Sequence, residues 1–148
     1  MSLAHGFFLP RAIRFLAAHL PGPLCPPLRA AQVELCRSLH LAFGLAAIHR
    51  RTVVLEPFQP SIEGHLALRL PKGVRWGRPQ AVPLPPSLEG SGWLDGHPRP
   101  ITVMPQRRSA ANVWFLHHGR QTLCLHLNLA GAVELLRYRP LLGAWVTC

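Results

Sequence analysis

Arg69, Lys72, Arg75 and Arg78 recur at every third position around Trp76, and no acidic residue occurs from Gly64 to Leu88. An extended, proline-flanked segment turns about once per three residues, so this spacing sets four cations along one side of the chain. Cations in a row beside an indole match a phosphate backbone and a stacked base. A second group, Arg107 and Arg108, lies in an acid-free span from Gly96 to Val133 that also carries Arg99 and Arg120. His97, His117, His118 and His126 fall within the same span and add charge whenever they are protonated. The chemistry expected of both groups is neutralisation of a polyanion. The plain alternative for each is a solvated loop whose charge keeps the chain soluble.

Bond-making chemistry finds no such support. The six acids, Glu34, Glu56, Glu63, Glu89, Asp95 and Glu134, are isolated from one another in sequence, so no carboxylate pair is suggested. GxSxG, HExxH and a phosphate-cradling glycine loop are absent; Gly90-Ser91-Gly92 lacks the spacing, and Asp95-Gly96 reads as a turn. Cys25, Cys36, Cys124 and Cys148 include no CxxC. Cys124 and His126 share one face of an alternating segment that His117 or His118 approaches from a paired one, but two further ligands in zinc spacing are missing. The expectation is a non-enzymatic protein with no catalytic residue, no cofactor and no metal.

All but one (Lys72) of the 16 basic residues are arginines, and the formal charge is +10. With 49% hydrophobic and 15% charged residues the chain is too apolar for a disordered polybasic tail, and a folded domain is expected. Its positive field calls for a polyanion or a large assembly as company. Arginine is always charged and forked to suit phosphate, although a GC-rich coding sequence contributes to the excess. Trp93, Trp114 and Trp145 stand beside apolar neighbours and read as core or interface anchors. The sparse cysteines fit a reducing compartment. The most apolar stretch, Val33 to Ile48, is interrupted by Glu34, Arg37, Ser38 and His40, so no transmembrane span is expected.

The elements that must position these groups follow from periodicity. Residues 1–26 read as an N-terminal arm or presequence-like helix. Arg11, Arg14 and Arg29 precede the first acid, Glu34, among Phe7, Phe8, Ile13, Leu16 and Leu20, which is the composition of a mitochondrial address. A helix from Pro10 to about His19, ended by Pro21-Gly22-Pro23, would carry them; an ordinary docking helix is the alternative. Residues 27–148 read as a single domain. From Pro27 to about His49 the stripe Leu28, Ala31, Leu35, Leu39, Ala42 and Ala46 marks a helix. Beyond Leu39 this helix is apolar almost all round, which predicts that it is central and covered.

Thr52–Phe58 and Gly64–Leu70 read as strands joined in a hairpin across Gln59–Glu63. Residues 71–100, rich in proline and glycine, predict an irregular surface excursion. Ile101–Met104 is a short strand. Asn112–His117 and Gln121–Leu129 form a hairpin through His118-Gly119-Arg120. Gly131–Tyr138 predicts a short helix, and Leu141–Val146 a last strand. The fold class expected is α+β, one or two N-terminal helices packed on a mainly antiparallel sheet.

These features predict a structural subunit of a large RNA-containing assembly, foremost a mitochondrial ribosome, in the matrix or facing it. Its partners would be rRNA or another polyanion and the neighbouring protein subunits. Arg69, Lys72, Arg75, Trp76, Arg78, Arg107 and Arg108 would bind the RNA. An accessory subunit of a respiratory or ATP-synthase complex at the inner membrane is the second expectation, with its arginines on acidic neighbours or lipid headgroups. GC-rich noncoding sequence would also yield many arginines, prolines and tryptophans with few acids, so a weakly selected reading frame without defined activity is the third. The alternation at Leu66–Leu70 and Leu123–Leu129 speaks against that.

Overall fold

A computed structural model describes residues 24–58, 63–88 and 98–148. The expected Pro10–His19 helix, the turn at Asp95-Gly96 and Trp93 lie outside the described residues. Cys25 precedes helix α1 (Pro26–His49), whose first positions are the prolines that tolerate a missing N–H there. The predicted stripe is buried throughout: Leu28, Ala31, Leu35, Leu39, Ala42 and Ala46 are at most 1% exposed. Arg50 ends the helix in the left-handed region, its N–H returning to the Ala46 carbonyl.

Two sheets take that stripe. Strands β1 (Val53–Glu56), β2 (Leu66–Ala67) and β4 (Ile101–Val103) form a mixed sheet in the order β2-β1-β4. Strands β3 (Arg75–Trp76), β5 (Asn112–His118), β6 (Gln121–Leu127), β7 (Val133–Arg139) and β8 (Ala144–Thr147) form an antiparallel sheet in the order β3-β5-β6-β7-β8. The expected α+β architecture is present: one N-terminal helix on a mixed three-stranded and an antiparallel five-stranded sheet. The main core lies between α1 and both sheets, with Trp114, Leu116, Leu123, Leu125 and Leu127 on the helix side.

The hairpin expected across residues 59–63 is not formed. β1 and β2 run parallel, with Leu55 opposite Leu66 and Glu56 opposite Ala67, and the antiparallel partner of β1 is instead β4. The distant segment Ile101–Val103 offers two fully buried apolar side chains to this ladder, whereas Gly64–Leu70 contributes only a two-residue strand. The predicted alternation survives: Leu68 is buried, and Leu66 and Leu70 pack on the same core.

The segment expected as a helix from Gly131 to Tyr138 instead enters strand β7 at Val133. It pairs with β6 from Val133 opposite Leu127 to Tyr138 opposite Thr122. Leu135 joins the helix-side core, while Leu136 joins a second cluster with Val113, Phe115, Cys124 and Leu88. Adjacent leucines are both buried because the sheet is covered on both faces, and a doubly covered strand loses the two-residue alternation.

The second cover comes from the proline-rich stretch. Pro86–Leu88 forms a 3₁₀ turn, Leu84 and Leu88 pack on the outer cluster, and Trp145 donates its indole N–H to the Pro83 carbonyl at 2.8 Å. The expected surface excursion is therefore a lid on the sheet that also supplies edge strand β3. The expectation that α1 is covered all round fails in the opposite sense. Leu41 is 48% and Ile48 75% exposed, because both sheets lie on one side of the helix.

Candidate nucleic-acid interface

The β5–β6 hairpin closes through Gly119-Arg120, with His118 opposite Gln121. Gly119 has φ +60°, as the first central position of a tight hairpin turn of this hand requires. The turn is tied to the start of α1: the Cys25 backbone N–H donates to Gln121 Oε1 at 2.7 Å. On the other side β3 pairs with the end of β5, Arg75 opposite His117 and Trp76 opposite Leu116. His117 Nδ1–H donates to the Gly77 carbonyl at 2.8 Å, which fixes the tautomer and holds the strand in place. Gly73, at φ +91°, packs its α-carbon against the His118 ring, since a Cβ there would lie 3.3 Å from Cδ2.

This framework brings Lys72, Arg75 and Arg120 to one end of the hairpin, all three exposed, beside the half-buried His117 and His118. Arg69 is exposed just beyond β2. None of Arg69, Lys72, Arg75 and Arg120 forms an ion pair among the described residues.

The other two members of the predicted row turn inward. Pairing with β5 imposes a two-residue alternation in place of the three-residue turn. Arg75 and Trp76 therefore point to opposite faces. The Trp76 ring stands edge-on to Trp114 at 5.0 Å and to Phe58 at 5.9 Å, packed against the core. Arg78 donates to the Val82 carbonyl and braces the lid. Trp76 thus serves packing first, and the cations left on the surface are Arg69, Lys72 and Arg75.

Arg107 and Arg108 occupy the far end of the same hairpin. They lie in a turn in which the Met104 N–H donates to the Arg108 carbonyl at 2.8 Å and Arg107 itself has φ +60°. Ser109 Oγ donates to the Asn128 carbonyl at 2.8 Å, locking this turn to the β6–β7 connection. The two connections touch so closely that a Cβ on Gly131, itself at φ +75°, would sit 2.0 Å from the Arg107 carbonyl oxygen. Arg107 and Arg108 are both exposed.

Arg50 and Arg51 belong to this end as well. Val53 pairs with Val103, so the α1–β1 link and the β4–β5 turn leave the same end of that strand pair. Both also stand just past the end of α1, where cations oppose the negative pole of the helix dipole. Their nearness to Arg107 follows from a pairing fifty residues apart in sequence, which no local signal announces.

The remaining chemistry is thiol chemistry. All four cysteines are free. Burial pushes the Cys36 thiol up, and burial pushes Cys148 up to about 12 against the opposing pull of the Arg137 cation. Both stay protonated near neutral pH, and a protonated thiol is a poor nucleophile and metal ligand. Arg137 is itself lowered, first by burial and then by Arg139. Among the described residues no three His, Cys, Asp or Glu side chains gather as a metal site. Cys124 is fully buried opposite Phe115, and His126 faces Val113 across the ladder. No helix among the described residues is long and apolar enough to cross a membrane. Comparison with protein-family models, with curated proteins and with solved structures finds no match.

Proposed function

We propose that this protein is a non-enzymatic structural subunit of a large RNA-containing assembly, and that it contacts RNA phosphates through the β3 edge. The presequence-like composition of its N-terminus favours a mitochondrial ribosome, with rRNA and neighbouring subunits as partners. One observation carries the reading: Lys72, Arg75 and Arg120 are held at one rigid hairpin end, exposed and without a carboxylate partner among the described residues. Exposed cations fixed on a folded scaffold fit a phosphate backbone, whose condensed counterions they release on binding.

The test is the affinity for a structured RNA as a function of salt. Lys72→Glu with Arg75→Glu lowers it roughly ten- to a hundredfold and flattens the salt slope by about two, one for each phosphate contact. Both side chains are exposed, so thermal unfolding stays within about 0.5 kcal/mol of the parent. Arg78 is left intact because its substitution would disturb the lid. Unchanged RNA affinity in the double variant removes the β3 edge from the reading.

The exposed apolar end of α1 favours a second reading, an accessory subunit of a respiratory or ATP-synthase complex at the inner membrane. Nuclease treatment of the native particle separates the two, since it releases an RNA-held subunit and leaves a respiratory one in place.

A further inference from the structure

The end of the molecule opposite the β3 edge combines charge with exposed apolar side chains. On the outer face of α1, Leu41 and Ile48 stand 48% and 75% exposed. Beside them a groove of about 430 Å³ is lined by His40, Phe43, Gly44, Ala47, Arg107 and the small residues of the β6–β7 connection. Among the described residues no side chain occupies the space above Gly44, where an added Cβ would meet nothing within 4 Å. Arg107 lines this groove, and Arg50, Arg51 and Arg108 lie at the same end of the molecule, all four exposed and none in an ion pair among the described residues. Glu134, the acid nearest in sequence to the groove lining, shares the opposite sheet face with Leu136. The helix's own Glu34 accepts a bond from Ser38 one turn along.

From this arrangement we infer that the C-terminal end of α1, together with the Arg107–Arg108 turn, docks on an anionic lipid bilayer, Leu41 and Ile48 entering the headgroup boundary and the four arginines engaging lipid phosphates. Apolar side chains with arginines at one end of them are what the boundary between headgroups and acyl chains accommodates, and the groove has room for part of an acyl chain. RNA offers nothing to Leu41 and Ile48. A second copy of the chain would bring its own four arginines against these. A specific protein interface generally covers about 800 Å² per partner around a continuous apolar centre, whereas the large apolar chains exposed here are Leu41 and Ile48 on the helix and Leu129 on the β6–β7 connection, with four exposed arginines at the same end.

The experiment is co-sedimentation of the full chain with phosphatidylcholine vesicles, with and without phosphatidylglycerol, at physiological ionic strength. The parent binds the anionic vesicles and not the neutral ones. Leu41→Ser with Ile48→Ser, which changes no charge, lowers the partition at least about tenfold, since two aliphatic side chains no longer enter the boundary. Arg107→Gln with Arg108→Gln lowers it several-fold, while Lys72→Gln with Arg75→Gln, the same charge removed at the other end, leaves it within about twofold. Because all these side chains are exposed, each variant is first matched to the parent by thermal unfolding. The inference is overturned if the serine variant partitions like the parent. It is equally overturned if the two glutamine variants lose binding alike, because net charge alone would then account for it. Binding of an acidic protein partner at this end with no vesicle affinity would overturn it too. RNA affinity of the same variants is read separately, so a failure here leaves the β3 edge untouched, and the reverse.

Discussion

The two ends of the β5–β6 hairpin carry similar charge and different apolar company, an aromatic cluster at one and aliphatic chains at the other. At the turn end, Lys72, Arg75 and Arg120 are exposed while the large apolar group beside them, Trp76, is half-buried against Trp114, with Phe58, 57% exposed, on its other side. At the far end, Arg107 and Arg108 are exposed beside Leu41 and Ile48, which no other described element covers. Net charge alone cannot distinguish the ends, because it only draws anions near. The apolar groups at hand then decide which anion gains by staying. A polar phosphate backbone suits the first end, and an anion attached to an apolar body suits the second.

The strongest way to break this contrast is to undo the aromatic packing behind β3. Trp114 is 1% exposed, contacts Trp76 edge-on and donates its indole N–H to the Arg99 carbonyl at 2.7 Å. Trp114→Ala removes the largest fully buried side chain among the described residues and is expected to cost about 4 kcal/mol in denaturant unfolding. Trp76 then loses the nearer of its aromatic partners among the described residues, and β3 is held by its short ladder, the His117–Gly77 bond and Phe58. Partial protease digestion of the variant should open the segment around Arg75 before the β6–β7 ladder. If that segment stays protected, the β3 edge owes its rigidity to something other than Trp114.

A smaller effect is expected at the other end. Gly131→Ala places a Cβ on the Arg107 carbonyl oxygen in a backbone conformation that L side chains avoid. The turn must shift, at a cost of about 2–3 kcal/mol. The variant should lose binding to anionic vesicles by displacing Arg107 and Arg108 while its RNA affinity is preserved. A parallel loss of both would mean that the ends are coupled through the sheet, and that the contrast describes one surface and not two.

Much of this arrangement was legible in the sequence, and the failures share a physical origin. The α1 stripe was readable because only one face of the helix is covered, which leaves its periodicity intact; the Asn112–Leu127 hairpin, though covered on both faces, was readable from the turn at Gly119 and the regular spacing of Leu123, Leu125 and Leu127. The Leu135–Leu136 pair misled because the Pro83–Leu88 lid buries the second face of the sheet, and that lid contacts β7 across about fifty residues of chain. The regular spacing of Arg69, Lys72, Arg75 and Arg78 promised a row of four, but ladder pairing with His117 and Leu116 set the local period to two and turned Trp76 away. Exposure of Leu41 and Ile48 was hidden for the converse reason: periodicity identifies a face that can be buried and is silent on whether anything arrives to bury it.

The smallest effect sharpens the comparison most economically. Gly44 sits in the interior of α1 with ordinary helical backbone and open space where a Cβ would point. Glycine there exposes backbone to water and loses more chain entropy on folding than alanine, so Gly44→Ala should stabilise the protein by about 0.5–1 kcal/mol. The methyl also enters the groove beside Phe43 and Ala47. If the groove receives part of an acyl chain, the gain in stability comes with a modest loss of vesicle partition, of the order of twofold. If Leu41 and Ile48 alone make the apolar contact, the variant is more stable and binds vesicles as the parent does. The same substitution lies outside the β3 edge, so RNA affinity provides the internal control. A stabilised variant with altered vesicle binding and unaltered RNA binding would assign the groove to the lipid-facing end by an effect of opposite sign to any loss of folding.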